Sequence, residues 1–427
     1  MRQEHLEAAL PAGADPRQYA RVLARVHDAA LAGDRLPTQP RSVIGASWNR
    51  MRRMGVDPDH GGVRPLLPLD VLEARRKNSG LAEALPILRD GLIGVAEQAA
   101  HIMVIVDADG YVLWRDGSAA VRRRADGLGF TEGATWHEEI VGTNAIGTAL
   151  VARKPMQVYS AEHYVRTHHA WTCACAPLHD PRSGKLLGAV DLSGPAATVN
   201  PMTLALVAAV AKLAESQLRN MHLMELERLR AVSGPALAAV SGPAVITDQH
   251  GWIAAASGIA PVDRLMLPQE CTAGPVWLPA FGNCALEPLP GGWLVRVIED
   301  AADDGATATR VVVDVTSPRR ATLTVQGAGG TWSHTLSPRH AEMLYVLATH
   351  PEGRSASELS MDLFGDRNRT VTVRAEMSRL RRHFAGILAH RPYRFAEGVE
   401  VALRCPDQPE LVLPHSLAPG VREALPS

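Results

Sequence analysis

Alternating runs of apolar residues, flanked by helical patterns, indicate a small α+β module in the first half of the chain. HIMVIVDADGYVLWRDG (101–117) predicts a β-hairpin, because two apolar runs flank an Asp-Gly turn. WTCACAPL and LLGAVDLSG, joined by the turn HDPRSGK, predict a second hairpin. Residues 81–100 and a long stretch from about Pro201 to Arg230 have helical periodicity, and Asn200 is the candidate N-cap of the long helix.

Two of the predicted helices have a clear apolar face. The segment RSVIGASWNRMRRM (41–54) places Ile44, Trp48 and Met51 on one side, and its arginines are expected to face solvent. The apolar stripe of the long helix consists of Val207, Val210, Ala214, Leu218 and Met221. Two interpretations of this stripe stay open: it packs on the sheet, or it pairs with a second copy of the chain.

The middle of the chain predicts a second, smaller sheet. SGPALAAVSGP (233–243) indicates a break in helical structure, after which AVITDQHGWIAAASG predicts a strand, a turn and a strand. VWLPAFGNCALEPLPGGWLVRVI adds two or three strands, and EDAADDGATAT (299–309) is typical of a linker or an exposed loop.

The last part of the chain has the spacing of a helix-turn-helix. Ser337 is a suitable N-cap and Pro338 a suitable first residue for one helix. Two more helices are predicted, at Ser355–Leu363 and from about Thr370 to Phe384. PYRF and VEVALR then predict a β-hairpin, which would be the wing of a winged helix.

Positive charge is concentrated in this last region. Residues 366–394 contain eight arginines against Asp366 and Glu376, whereas the whole chain has a formal net charge of −1. A solvated basic helix face is one interpretation, but the helix spacing and the predicted wing favour DNA binding. The candidate DNA-binding residues are Arg367, Arg369, Arg374, Arg379, Arg381, Arg382 and Arg394.

Composition limits the classes of protein that fit. The 427 residues are 46% apolar and 21% charged, and their number suits two to four domains. No run approaches the ~18 apolar residues that a membrane helix requires, and the polar start MRQEHLEAAL lacks an apolar leader. We therefore expect a cytoplasmic protein with reduced thiols and no membrane contact.

Histidines and cysteines cluster in AEHYVRTHHAWTCACAP (161–177). His168, His169, Cys173 and Cys175 could in principle hold zinc. However, C-x-C is not the usual C-x-x-C spacing, and no second pair of cysteines occurs nearby. We therefore expect no metal and no cofactor, and packing or a pocket wall is favoured over a redox role. The chain also offers no convincing set of catalytic residues, so it is not expected to be an enzyme.

Three segments carry a resemblance to a known family. GASWNRMRRMGVDP (45–58), GLGFTEGATWHEEIVGTNAIGTAL (127–150) and AEHYVRTHHAWTCACAPLHDPRSGKLLGAVDLSG (161–194) resemble the N-terminal sensor region of acetoin-catabolism-operon activators. The resemblance covers about the first half of the chain and implies a GAF domain. The middle module resembles a PAS fold, and the tail is similar to the winged helix of response regulators.

The chain departs from those activators in its output region. They carry a central ATPase, but this sequence contains no G-x-x-x-x-G-K-[ST] phosphate-binding loop and no GAFTGA segment. The sensor is thus expected to act through DNA occupancy or through direct contact with RNA polymerase.

The resemblance also implies a ligand pocket between the sheet and the segment WHEEIVGTNAIGTAL. Its candidate wall residues are Trp136, Ile140, Thr143, Asn144, Ile146, His163, Trp171 and Cys173. Thr143 and Asn144 could instead cap the helix that begins near Ala145, and the tryptophans could be ordinary core residues. A mostly apolar wall with few polar groups suits a small, largely uncharged organic effector, such as a ketone or an alcohol.

The expected architecture is an α+β multidomain chain with a GAF sensor, a PAS-like module and a C-terminal winged helix-turn-helix. The predicted parts are an N-terminal helical region (1–80), the GAF domain (81–220), a connecting helix (203–231), the PAS-like domain (233–300), the winged helix (310–405) and a tail (406–427). The expected function is a one-component, homodimeric transcriptional regulator that binds DNA and a small organic effector. The alternatives are a signalling adaptor that does not bind DNA and a metal-dependent enzyme that uses the His/Cys cluster.

Overall fold

The computed structural model describes residues 6–62, 66–260, 263–268, 271–278, 281–298, 309–317, 320–327, 330–384 and 387–423. The chain divides into an N-terminal unit (Met1–His222) and a C-terminal unit (Leu223–Ser427). Both combine helices with β-sheets, so the expectation of a mixed α/β chain with several sheets is confirmed.

The N-terminal unit is built on one five-stranded antiparallel sheet. Its strands are β1 (Ile102–Asp107), β2 (Val112–Gly117), β3 (Met156–Tyr159), β4 (Trp171–His179) and β5 (Leu186–Pro195), in the order β2-β1-β5-β4-β3. In the described part of this unit, the α-helices that precede or interrupt the strands are α1 (Pro16–Ala32), α2 (Ser42–Met54), α3 (Leu69–Asn78), α4 (Leu85–Gln98), α5 (Ala119–Asp126), α6 (Glu138–Val141) and α7 (Ala145–Ala152). The two hairpins predicted from the sequence, β1–β2 and β4–β5, are confirmed.

The sheet is covered on both faces, as the alternation of β4 shows. Trp171 and Cys175 belong to one core, with the buried side chains of α2, α5 and α7. Ala174 and Ala176 belong to the other, with those of α4 and the long helix α8 (Pro201–Ala238). We call the first side the inner face and the second the outer face. Residues that alternate along one strand must point to opposite sides, so the inner face is set by the sequence of β4.

The apolar stripe of α8 packs on the outer face. Val207, Val210, Ala214 and Leu218 are buried with that side of the sheet, and Met221 is partly buried. The interpretation that the stripe pairs with a second copy is therefore wrong, because its side chains already form core contacts. No helix in the described ranges is both long enough and apolar enough to cross a membrane.

The predicted break at 233–243 is wrong for its first six residues, which continue α8 to Ala238. Pro235 lies inside the helix but is exposed, so water can reach the carbonyl group that lacks its usual amide partner. Leu229 and Leu237 pack against the first sheet of the C-terminal unit, and this burial outweighs the local preference for a turn.

The C-terminal unit contains two larger sheets. The first has the strands β6 (Ala244–Asp248), β7 (Ile253–Ser257), β8 (Gly274–Leu278), β9 (Gly282–Leu289) and β10 (Gly292–Val297), in the order β7-β6-β10-β9-β8. This order matches that of the N-terminal sheet. Asp107 and Asp248 also hold equivalent hairpin turns, since Oδ1 of each accepts the backbone N–H groups two and four residues later, at 2.8–3.0 Å.

The second sheet shares a core with three helices. It contains β11 (Thr309–Asp314), β12 (Thr322–Gly327), β13 (Gly330–Thr335) and β16 (Val399–Arg404). The helices are α9 (Pro338–Thr349), α10 (Ala356–Phe364) and α11 (Thr370–His383), and a short helix α12 (Pro419–Glu423) follows. The three helices were predicted, and Ser337 caps α9 as expected by accepting a hydrogen bond from the His340 amide.

The predicted hairpin between PYRF and VEVALR is wrong. β15 (Arg394–Phe395) pairs instead with β14 (Leu388–Ala389), and β16 lies parallel to β11. Val311 and Val313 of β11 are fully buried, so the parallel pairing extends the sheet that covers the helices. A pairing between segments about ninety residues apart leaves no local signal of the kind that marks a hairpin.

Helix α2 is held to the N-terminal unit by ion pairs with two buried glutamates. Arg41, its N-cap residue, donates to both carboxylate oxygens of Glu162 at 2.7 Å, and Arg50 donates to Glu138 at 2.7 Å. Glu162 and Glu138 are each 1% exposed. The expectation that the arginines of 41–54 face solvent is therefore wrong for these two, because a buried carboxylate requires a counter-charge.

The replacement Arg41→Ala should destabilise the N-terminal unit by about 3 kcal/mol, because it leaves the carboxylate of Glu162 buried without its cation. The control is Arg166→Ala, which removes an exposed arginine paired with Asp28 and Asp59. That loss should cost less than about 1 kcal/mol. Urea denaturation of the full chain, followed by circular dichroism and tryptophan fluorescence, measures both; equal costs would contradict the role assigned to the buried pair.

Candidate functional site

A polar network fixes the layer that covers the inner face of the N-terminal sheet. Glu138 Oε2 accepts hydrogen bonds from the hydroxyl groups of Ser47, at 2.7 Å, and Thr148, at 3.0 Å. The hydroxyl groups of Ser47 and Thr143 are 2.7 Å apart. Thr143 was predicted to line a ligand pocket, but its side chain is fully buried and hydrogen-bonded to α2.

Asn144 forms the start of α7. Its side-chain oxygen accepts the Gly147 N–H at 2.9 Å, and its amide group donates to the carbonyl groups of Trp136 and Gly142. The capping interpretation of Asn144 is thus confirmed. A side chain at Gly147 would lie 2.3 Å from the backbone nitrogen of Glu138, so only glycine allows α6 and α7 to approach this closely.

An aromatic cluster lies beside this network. The Trp136 ring is 4.0 Å from that of Phe130 and 5.1 Å from that of His168, and His163 is 6.1 Å from His168. Nδ1 of His163 donates to the Ser160 carbonyl at 2.9 Å. Burial lowers the pKa of His163 to about 3 and that of His168 to about 4, so both rings are neutral at physiological pH.

The inner face of β4 presents Trp171, Cys173 and Cys175. Trp171 is buried beneath the guanidinium of Arg124, which lies 5.4 Å from its ring centre. Cys175 is fully buried, whereas Cys173 is partly exposed. Burial raises the pKa of both thiols well above the usual value, so they are poor nucleophiles and poor metal ligands at neutral pH. Within the described ranges, no three His, Cys, Asp or Glu side chains form a group that could hold a metal ion.

Four predicted wall residues lie together in the inner core: Trp136, Ile146, Trp171 and Cys173. Ile140 is only partly buried and lies outside that cluster, and His163 contacts the aromatic cluster through His168. The predicted wall residues thus fall into two sets. Trp136, Ile146, Trp171 and Cys173 form an apolar cluster, whereas Asn144 caps α7 and Thr143 is hydrogen-bonded to α2.

Asp191 and Ser193 of β5 were missed by the sequence analysis. Asp191 lies opposite Cys175, and Ser193 lies opposite Cys173, on the same face of the sheet. Both are fully buried; the Ser193 hydroxyl donates to Asp191 Oδ2, and burial raises the pKa of Asp191 to about 7. The signal was present in LLGAVDLSG, because alternation places Asp191 on the same side as the buried Ala189.

A basic groove of about 720 Å³ lies in the C-terminal unit. Two predicted DNA-binding residues, Arg374 and Arg381 of α11, line it. The residues that the prediction omitted are Arg354, His390 and Arg391, and the groove also contains the hydroxyl groups of Ser355 and Ser378. Among the residues that the structure describes, none forms an ion pair with Arg374, Arg381 or Arg391. The groove therefore has uncompensated positive charge.

The other predicted arginines are arranged differently. Arg369 lies 3.9 Å from Asp366, Arg379 pairs with Glu376, and Arg394 pairs with Glu397 at 2.7 Å. Arg367 is exposed, and the side chain of Arg382 lies outside the described residues. The charge available to an anion is consequently greatest at the groove.

Comparisons with known proteins relate both halves of the chain to other sequences. A family model described as "MimR, N-terminal domain" matches residues 23–220. The protein described as "Uncharacterized 47.3 kDa protein in thcA 5'region", from Rhodococcus erythropolis, is 31% identical over 390 residues, which cover 90% of this chain and 71% of that protein.

Two transcriptional activators match the first half only. The acetoin dehydrogenase operon transcriptional activator AcoR of Bacillus subtilis is 36% identical over 42% of this chain and 29% of its own length. The propane 2-monooxygenase operon transcriptional activator MimR of Mycolicibacterium smegmatis is 32% identical over 43% of this chain and 31% of its own length. The match thus covers less than a third of each activator. Because the similarity to the Rhodococcus protein extends through both units, the chain belongs to the same family as that protein.

Proposed function

We propose that the protein is a one-component transcriptional regulator that senses a small organic molecule and binds DNA. The observation that carries the proposal is the joining of two features in one chain. The N-terminal unit is related to the matching region of operon activators. The C-terminal unit has a groove lined by Arg374, Arg381 and Arg391, which form no ion pair with the described residues.

For the sensor, we propose a GAF domain over residues 81–220 whose ligand lies between the inner face of the sheet and α7. Trp136, Ile146, Trp171 and Cys173 are the proposed wall, because the structure places them in one cluster. Thr143 and Asn144 are proposed to act by holding α2 and the start of α7 in place. His163 and Ile140, which lie outside the cluster, complete the proposed set. The neutral histidines and thiols favour an uncharged effector.

For the output, we propose a winged helix-turn-helix within 310–405, with α11 as the helix that reads DNA and a PAS-like module at 233–300 before it. Arg374 and Arg381 of α11, with Arg391, would contact backbone phosphates. The paired residues Arg369, Arg379 and Arg394 would contribute less unless DNA displaces their acidic partners. Arg367 and Arg382 complete the proposed set.

The proposal includes a homodimer in the cytoplasm, because a helix-turn-helix usually reads two half-sites with two copies. RNA polymerase is the proposed protein contact, and no catalytic activity is proposed. An adaptor that senses the same effector without binding DNA is the competing function. Binding to duplex DNA separates these two functions directly.

The triple replacement of Arg374, Arg381 and Arg391 by alanine should weaken binding to duplex DNA. If each arginine neutralises one phosphate, the plot of log affinity against log salt should lose about three units of slope. Fluorescence anisotropy with a labelled duplex of about 25 base pairs, measured between about 50 and 200 mM salt, gives this slope.

The matched control replaces Arg17, Arg21 and Arg25 of α1, three exposed arginines at helical spacing in the other unit. This variant loses the same charge and should keep the wild-type salt slope. Equal losses of affinity in both variants would show that DNA affinity depends on the net charge of the chain and not on the groove, which would contradict the proposed DNA-binding surface. Absence of DNA binding by the wild-type chain would favour the adaptor.

An effector of the proposed class should raise the melting temperature of the full chain, because it binds the folded state only. We expect stabilisation by short alcohols, diols or ketones, and none by cyclic nucleotides, whose phosphate would require a cation. Trp136→Ala should remove the stabilisation. Trp252→Ala, a change in the C-terminal unit, should keep it. Stabilisation by cyclic nucleotides alone would contradict the ligand class.

A further inference from the structure

Asp191 differs from every other buried acid described in the N-terminal unit. The other four each have an arginine partner: Asp107 with Arg75 at 2.6 Å, Glu138 with Arg50 at 2.6 Å, Glu162 with Arg41 at 2.7 Å, and Asp180 with Arg182 at 3.0 Å. Among the described residues no cation pairs with Asp191, although it is the least exposed of the five. Its single hydrogen bond comes from Ser193.

The second carboxylate oxygen of Asp191 has no hydrogen-bond partner in the part of the chain that the structure describes. Oδ1 is buried and makes no hydrogen bond with the described residues. A buried polar group without a partner is costly, so it is retained in native proteins mainly where a ligand, ion or water completes it. Asp191 also faces the proposed ligand side, because its strand neighbours Val104 and Cys175 belong to the inner core together with α7.

The partial exposure of Cys173 is independent evidence that the inner face of the sheet is accessible beside Asp191. Cys173 lies in β4 between β3 and β5, directly opposite Ser193, and all of its neighbours on the sheet are buried. Cys173 is nevertheless partly exposed. Strands on both sides cover its edges, so the accessible surface of its side chain lies above the sheet, towards the inner layer.

We infer that Asp191 accepts, through Oδ1, a hydrogen bond from the hydroxyl group of a small alcohol or diol bound against the inner face of β4 and β5. The inference rests on the proposed sensor function and names the ligand class and the residue that selects it. The apolar part of the ligand lies against Cys173 and Trp171, and the hydroxyl group points to the sheet.

A hydroxyl group fits this position better than a ketone or an ammonium group. A ketone can only accept a hydrogen bond, so it would need Asp191 in its protonated form. An ammonium group has three donors to satisfy, and the surrounding inner-core side chains supply one unpaired oxygen. A hydroxyl group can donate to the carboxylate form of Oδ1, which is the stronger acceptor, and can accept from the protonated form.

The titration of Asp191 gives the inference a pH dependence. Among the described residues, the thiols of Cys173 and Cys175 on β4 face it, and both are neutral because burial raises their pKa; β1 and α7 have no ionisable side chain on this face. Of the other helices on the inner face, α2 carries Arg50, which is paired with Glu138, and α5 carries Arg124, which lies over Trp171. Burial raises the pKa of Asp191 to about 7. Since the carboxylate is the stronger acceptor, alcohol affinity should rise between pH 6 and pH 8, and ketone affinity should fall.

The test compares matched pairs of probes: 2-propanol with acetone, and 2,3-butanediol with butane-2,3-dione. Affinities for the full chain are measured by saturation-transfer NMR with the wild type, Asp191→Asn and Asp180→Asn. In Asp191→Asn the side-chain oxygen can keep the hydrogen bond from Ser193. The NH2 group then takes the place of Oδ1, so the ligand meets a donor instead of an acceptor. Alcohol affinity should therefore fall roughly tenfold or more, and ketone affinity should rise.

Asp180→Asn is the control, because Asp180 lies at the turn of the same hairpin and has its own arginine. It should leave the alcohol-to-ketone ratio at the wild-type value. An unchanged ratio in Asp191→Asn, with alcohols still bound, would overturn the inference and leave the sensor function in place. If none of the four probes binds the wild type, the proposed effector class fails, and the inference fails with it.

Discussion

The need to neutralise buried carboxylates governs the construction of the N-terminal unit. Glu138 and Glu162 lie at 1% exposure, and burying each would be prohibitively costly without a counter-charge. Arg41, the N-cap residue of α2, and Arg50, within the same helix, supply those charges. Helix α2 is therefore part of the fold of this unit rather than a separate N-terminal segment, and it fixes the helices that cover the inner face of the sheet.

The motifs that carry the family resemblance acquire a structural meaning from this arrangement. Glu138 of WHEEIV accepts from Ser47 and Thr148, Asn144 of GTNAIG caps α7, and Glu162 of AEHY binds Arg41. These side chains could be mistaken for ligand contacts, since they are polar and lie near a proposed pocket. Their hydrogen bonds are already made within the protein, so their direct role is to shape the layer against which an effector would bind.

Local features were predicted well from the sequence, and distant pairings were not. The hairpins β1–β2 and β4–β5, the cap at Ser337 and the alternation of β4 all depend on neighbours within a few residues. The parallel pairing of β16 with β11, and the salt bridges of α2, join segments about ninety to one hundred and twenty residues apart. Such contacts become visible only when the fold brings the partners together. Asp191 is intermediate: its face follows from alternation, whereas its missing partner is a property of three-dimensional packing.

The two ends of helix α8 pack in different hydrophobic cores. Its first part lies on the outer face of the N-terminal sheet through Val207, Val210 and Ala214, and its last part supplies Leu229 and Leu237 to the core beside β6 and β10. The candidate ligand position is on the opposite, inner face of the same N-terminal sheet. Since protein interiors are close-packed, a strand displaced by a ligand on the inner face must be accommodated by the side chains packed on its outer face. The apolar stripe of α8 is therefore part of the hydrophobic core. Because it packs directly on β4 and β5, it is also the part of the helix that a displacement of either strand would move first.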